Sequence, residues 1–178
     1  MRKLTIILLG LIATILAVPG FSWSPDADDK LELDVAKAIA TIKEKDPSIK
    51  KFFDTSAAYA VFPGVAKGAM GIGAAHGKGI MIEGGRTVGD TSVTQVTIGF
   101  QLGGQVYSEF IFFKDTTAVK DFKRGNFEFD AQVSAVAVTA GASADAGYNG
   151  GVAIFTMAKG GLMYEASIGG QKFKYEDK

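Results

Sequence analysis

The sequence has 178 residues, 47% of them hydrophobic, with 19 basic and 19 acidic side chains and no cysteine. That length suits one domain with a sizeable core. Balanced charge argues against a general nucleic-acid binder, which carries a basic excess, and the missing thiols exclude disulfides, thiolate metal sites and a lipobox-type lipid anchor.

Taken in chain order, residues 1–22 read as a secretory signal. Arg2 and Lys3 precede an uncharged apolar run from Leu4 to Val18, and Pro19 and Gly20 break it. Cleavage is expected before Trp23, and a run of about 15 residues is short for a transmembrane helix. Without this segment, 17 basic residues face 19 acidic ones, a net charge of −2. Secretion without cysteine fits a periplasm or bacterial exterior.

Residues 23–56 form the helical segment of the domain. Ser24-Pro25 with Asp26, Asp28 and Asp29 offers a cap, a first-turn proline and first-turn acids, so a helix starts here or slightly later. Leu31, Val35, Ala38, Ile39 and Ile42 then share one face. Asp46-Pro47 closes that helix and opens a second, short one carrying Lys50-Lys51-Phe52-Phe53.

From 57 to 178 the period changes to two. Strands are predicted over 57–62, 68–75, 78–83, 91–99, 104–113, 131–140, 151–158, 161–168 and 171–175. One helix interrupts them, capped by Asp115, with Ala118, Val119 and Phe122 inward and Gly125 at its stop. Short spacings without intervening helices favour antiparallel pairing. The expected fold is α+β, with N-terminal helices packed on a curved, mostly antiparallel sheet or partly closed barrel.

The glycine-rich stretch Ala57 to Ile82 invites a nucleotide-loop reading, but the spacing excludes it. Counting back from Gly77-Lys78 puts Ile72 where a Walker A needs its first glycine, and His76 stands at the third glycine of a dinucleotide fingerprint. His76, the single histidine, has no neighbouring carboxylate for a metal site or triad, and is expected as a hydrogen-bonding residue at a strand end. No G-x-S-x-G elbow or closely spaced carboxylate pair stands out. Glu109 and Glu165 fall in strands, where a strongly shifted pKa in either would reopen the question of chemistry. The residues favour no enzyme, no metal and no cofactor.

The ordered motifs resemble the SYLF domain. Tyr59-Ala60-Val61-Phe62-Pro63 with Val65-Ala66-Lys67 is similar to the family's entry motif. Gly71-x-Gly73 and Gly77-Lys78-Gly79 resemble its Gly-rich strand pair, and Gly99 to Gln105 its G-x-Q-x-G segment. Phe110 to Phe113, Ala118 with Phe122, Ala137 to Gly141 and Lys159 to Met163 complete the set, which spans roughly residues 32 to 175. The resemblance implies a non-enzymatic lipid-binding module with affinity for anionic phospholipid. In fungal relatives it also implies actin binding, relevant here only if the protein meets a host cell. Met163-Tyr164-Glu165-Ala166 is bulkier than the small segment of eukaryotic members.

Two sets of residues are candidates for membrane contact. In Lys50, Lys51, Phe52 and Phe53, cationic heads adjoin aromatic rings, as at a lipid interface. The competing reading packs both rings on the sheet, and a helix beside a domain ordinarily faces its core. Lys67, Lys78 and Arg86 are expected to converge with Lys120, Lys123 and Arg124 on a phosphate-binding patch, aided by glycine N–H groups. Scattered surface charge is the alternative. Two other readings remain: a small outer-membrane β-barrel, and a protein-interaction module using 91–99 or 104–113 as a pairing edge.

Overall fold

The computed structural model describes residues 22–70, 72–98, 105–125, 127–129, 134–159 and 168–178. Apart from Ser22, the expected signal segment lies outside them, as does the expected strand 161–168 apart from Ile168.

Helix α1 (Lys30–Lys45) begins slightly after the Ser-Pro pair, because Asp29 is the residue whose carboxylate accepts from the N–H groups of Leu31 and Glu32. Asp46 ends it, and its side chain then caps a 3-10 turn, Pro47–Ile49, which leads into α2 (Lys50–Thr55). Eight strands follow: β1 (Ala58–Met70), β2 (Ile72–Glu83), β3 (Arg86–Ile98), β4 (Gln105–Phe113), β5 (Phe127–Glu128), β6 (Val136–Ala137), β7 (Val152–Ala158) and β8 (Lys172–Asp177). Helix α3 (Thr116–Lys123) lies between β4 and β5, capped by Asp115 as the sequence implies. Gly125 follows it with φ of 78°, a conformation glycine adopts without penalty.

The strands form one curled half-barrel sheet in the order β5-β8-β3-β2-β1-β4-β7-β6. Every pairing is antiparallel except β6 with β7. Where α1 and α2 lie over the outer face both faces are covered, which is why Phe110 to Phe113 and Val152 to Phe155 read as unbroken apolar runs. On the inner face Phe62, Ile111, Phe113, Ile154 and Phe173 pack with Val119 and Phe122 of α3. On the outer face Val61, Ile80, Phe110, Phe112 and Phe155 pack under Val35, Ile39 and Ile42 of α1 and Phe52 of α2.

The Gly-rich motif now has a physical account. Gly77 and Gly79 face inward, and a Cβ on Gly79 would lie 2.4 Å from the Val61 carbonyl oxygen and 2.7 Å from the Phe62 ring. The missing side chains let β1 and its phenylalanine lie close against β2, while Lys78 between them points outward.

Several expectations change. The three predicted segments 57–62, 68–75 and 78–83 are two long strands, because Phe62 to Val65 is a register shift inside β1 and not a loop. His76 is therefore mid-strand and exposed, opposite Ala66 and Thr94, and not at a strand end. Where 131–140 was expected to be a strand, the described part joins the sheet as a two-residue strand at Val136 and Ala137, with a single bridge at Ser134. Turns at 140–144 follow. Most of 91–99 and 104–113 is inside the sheet and not at an edge. β4 lies between β1 and β7, and β3 pairs with β2 along its length and with β8 over Gly89 to Thr94.

Candidate functional site

The outer face divides at α1. Beneath the helix, alternate residues of β1, β2 and β4 are buried; beyond it the same alternation continues uncovered. Thr94, His76, Ala66 and Val106 stand side by side in one cross-strand row, all exposed. Val96 of β3 is 73% exposed and Val106 of β4 is 44% exposed, high values for large aliphatic side chains. Between this strip and α1 lies a cleft of ≈ 410 Å³ whose walls include Leu31, Asp34, Gly64, His76, Lys78 and Lys159. An adjoining hollow of ≈ 350 Å³ shares Asp34 and Lys159 and adds Lys37, Thr41 and Lys45 of α1.

The charge around these hollows is one-sided. Asp34 already pairs with Lys30 at 2.9 Å, and its carboxyl is held below the usual range by that hydrogen bond, with help from the Lys159 and Lys37 charges after the cost of burial. Among the described residues, Lys37, Lys45, Lys78 and Lys159 form no ion pair. Lys78 and Lys159 thus line the cleft beside the apolar strip, with Lys37 and Lys45 at the adjoining hollow, an arrangement that attracts anions and offers aliphatic contact beside them.

The residues singled out from sequence fare differently. Phe52 is 2% exposed, its ring 4.8 Å from Phe155 and 5.5 Å from Phe112, so it is a core residue and not a membrane contact. Phe53 is half-buried against Tyr59 and Phe112, with the Lys43 ammonium over its ring. Lys50 pairs with Asp54, and Lys51 donates to the carbonyls of Ala144 and Ala146.

The second set does not converge. Lys123 pairs with Glu83 at 2.7 Å, and Arg86 faces Glu83 across the β2–β3 hairpin, at one end of the sheet. Arg124 pairs with Asp121 on α3, where Lys120 is exposed. Lys78 lies five positions further along β2, roughly 17 Å at about 3.3 Å per residue. Lys67 is half-buried on the inner-face side of β1, and burial lowers its pKa. Of the ten, Lys78 alone belongs to the uncovered strip.

Sequence reasoning missed Lys37, Lys45 and Lys159, because only the packing of α1 across β4 and β7 brings its lysines to the hollow that Lys159, at the end of β7, also lines. It did flag Glu109. That carboxyl is fully buried on the inner face, and burial pushes its pKa up to about 8, opposed by a hydrogen bond from Gln171. Among the described residues, no group of three or more His, Asp or Glu side chains could hold a metal ion.

Comparison with known proteins fits this architecture. A family model described as Ysc84, Las17-binding protein actin regulator, matches residues 94–178. Over residues 94–178 the chain is similar to the Ysc84/SYLF family. Beta cell expansion factor A of Aeromonas veronii is 30% identical over 138 residues, which cover 76% of this chain and 52% of that protein. The chain thus spans about half the length of the curated relative it matches. The matched family segment runs from the end of β3 through β8. It contains Val96, Val106 and Lys159 of the uncovered strip, while His76 and Lys78 lie before it.

Proposed function

We propose that this chain is a non-enzymatic module that docks on anionic phospholipid surfaces through the uncovered outer face of its half-barrel. The carrying observation is the juxtaposition of exposed Val96 and Val106 with Lys78 and Lys159, which form no ion pair among the described residues. Aliphatic side chains enter the headgroup boundary, and each lysine near an anionic surface adds about 1 kcal/mol. The family resemblance supports the ligand class. The expected signal segment supports a periplasmic or external membrane as the target.

The test is co-sedimentation of residues 23–178 with phosphatidylglycerol or cardiolipin vesicles at low and high salt. Binding should be salt-sensitive and fall at least tenfold in a Lys78→Glu/Lys159→Glu variant. A Lys50→Glu/Lys51→Glu variant should bind nearly as well as the parent, because those heads already have partners. Equal binding to phosphatidylcholine vesicles, or none to any anionic vesicle, would sink the reading.

A second reading follows from the family description, which names an actin regulator. In it the same strip contacts a protein filament. Co-sedimentation with filamentous actin in the absence of lipid distinguishes the two.

A further inference from the structure

The inner face holds a group that the docking reading does not use. Four polar side chains, Tyr107 and Glu109 of β4, Thr156 of β7 and Gln171 just before β8, are each at most 2% exposed. Glu109 and Thr156 are directly opposite one another in the β4–β7 ladder. Gln171 reaches them from across the barrel, since β3, β2 and β1 separate β8 from β4 in the sheet. Its Nε2 donates to Glu109 Oε2 at 3.0 Å and to Tyr107 Oη at 3.2 Å. Where no backbone ladder among the described residues closes the curled sheet, one glutamine amide joins its two sides.

This clasp holds down a turn. The Gln171 N–H donates to Ile168 O, the Gly170 N–H to Phe129 O and the Phe129 N–H to Gln171 O. Gln95 of β3 donates from Nε2 to Gly169 O at 2.9 Å. Beneath the turn lie Phe129 and Phe173, whose ring centroids are 5.0 Å apart. The turn is therefore a cover over the aromatic floor of the half-barrel, fastened to β4 through Glu109.

The fastening depends on a proton. Glu109 Oε1, Gln171 Oε1 and Thr156 Oγ1 are buried without hydrogen-bond partners. The groups that face Glu109 are the Tyr107 phenol on its own strand, Thr156 on β7, Phe62 opposite it on β1 and the Gln171 amide. Among these the phenol is the titratable one, and no cation stands among them. An isolated carboxylate in such surroundings is strongly disfavoured against the neutral acid, and it gains water by moving the cover that excludes it. Gln171 donates both of its amide hydrogens already and has none left for a second carboxylate oxygen.

We propose that Glu109 and Gln171 form a proton-controlled latch. Protonated Glu109 keeps the Ile168–Gln171 turn fastened across the half-barrel, and ionised Glu109 releases it and uncovers Phe129 and Phe173. The latch lies on the inner face and is independent of the docking strip on the outer one.

Hydrogen exchange on the intact chain tests it. The amides of Phe129, Gly170 and Gln171 report on the turn, with rates corrected for base catalysis between about pH 6 and about pH 9.5. From about pH 6 up to the midpoint, protection at these three sites should fall about tenfold per pH unit and then level off above it, the dependence of a one-proton release. Glu109→Gln keeps an acceptor for Gln171 and cannot ionise, so its protection should stay flat. A flat profile in the parent, or the same fall in Glu109→Gln, would overturn the proposal. A direct carboxyl titration in the parent by carbon NMR serves if the variant does not fold. A Glu109 midpoint above 7 supports the latch, and one at or below 7 removes it.

Discussion

Two halves of the same outer face follow one alternation and end in opposite states. Under α1 and α2, Val61, Ile80, Phe110 and Phe112 are sealed. Beyond the flank of α1 that carries Asp34, Lys37 and Thr41, Ala66, Ala74, Val96 and Val106 continue on β1 to β4 and meet solvent. The strands do not differ in kind, since each half places small or aliphatic residues outward at period two. The difference is a helical cover over one half, and, where that cover stops, lysines that form no ion pair among the described residues. An exposed apolar strip rimmed by charge on an otherwise well-packed sheet marks an interaction surface.

Substitutions in the two halves should therefore separate stability from binding. The largest effect is expected at Phe52, whose ring fills the covered half. Phe52→Ala should cost about 3–5 kcal/mol in chemical denaturation, and a cost under about 1 kcal/mol would mean that α2 is not part of the core. Next comes Gly79→Ala, which tests the close approach of β1 to β2. A Cβ 2.4 Å from a backbone oxygen forces the strands apart, and a loss of about 1–3 kcal/mol is expected.

Acid titration probes the covered half from its rim. Burial alone would raise the Asp46 pKa, but donors on Ser48 and Ser143 outweigh it and hold the carboxyl below its usual 3.8. The Ser143 N–H donates to Asp46 Oδ2 at 2.7 Å, tying the 140–145 turns to the end of α1. The folded state holds this proton less tightly than the unfolded one. The contribution is complete above pH 3.8 and is lost as pH falls through the lowered value. Asp46→Asn should flatten the stability curve below about pH 4. Glu109 acts in the opposite sense. Its folded pKa of about 8 exceeds the ordinary 4.5, so its contribution is complete below 4.5 and is lost as pH rises to about 8.

The smallest effect on folding is expected in the uncovered half. Val96→Asp should change unfolding free energy by no more than about 0.5 kcal/mol while lowering vesicle binding. A destabilisation as large as that at Phe52 would show that Val96 is covered in solution, and the contrast between the halves would disappear.

Much of the organisation was legible because it rests on local chemistry. Asp29, Asp46 and Asp115 mark helix ends through hydrogen bonds within a few residues, and the α+β class follows from where the period changes. The family resemblance rested on ordered short motifs, and the family match later fell on residues 94–178. Boundaries failed where backbone pairing overrode composition. Pro63-Gly64 reads as a break, yet its neighbours on both sides of β1 keep their partners across a register shift.

The candidate site was less legible, because a lysine's value depends on what stands opposite it. Lys50 and Lys123 look as free in sequence as Lys78 and Lys159, but Asp54 and Glu83 hold the first two. Phe52 and Phe53 look alike as neighbours, and only the placement of α2 buries one ring and leaves the other at the edge. By itself the sequence determined the helices, the small-residue strands and the outward–inward alternation, since these depend on neighbours a few positions apart. The tertiary structure alone decided which half of a face is covered and which lysines find an ion-pair partner. It also decided that Glu109 meets Gln171, because those outcomes depend on the angle of α1 and the curl of the sheet, which bring together residues some 60 positions apart.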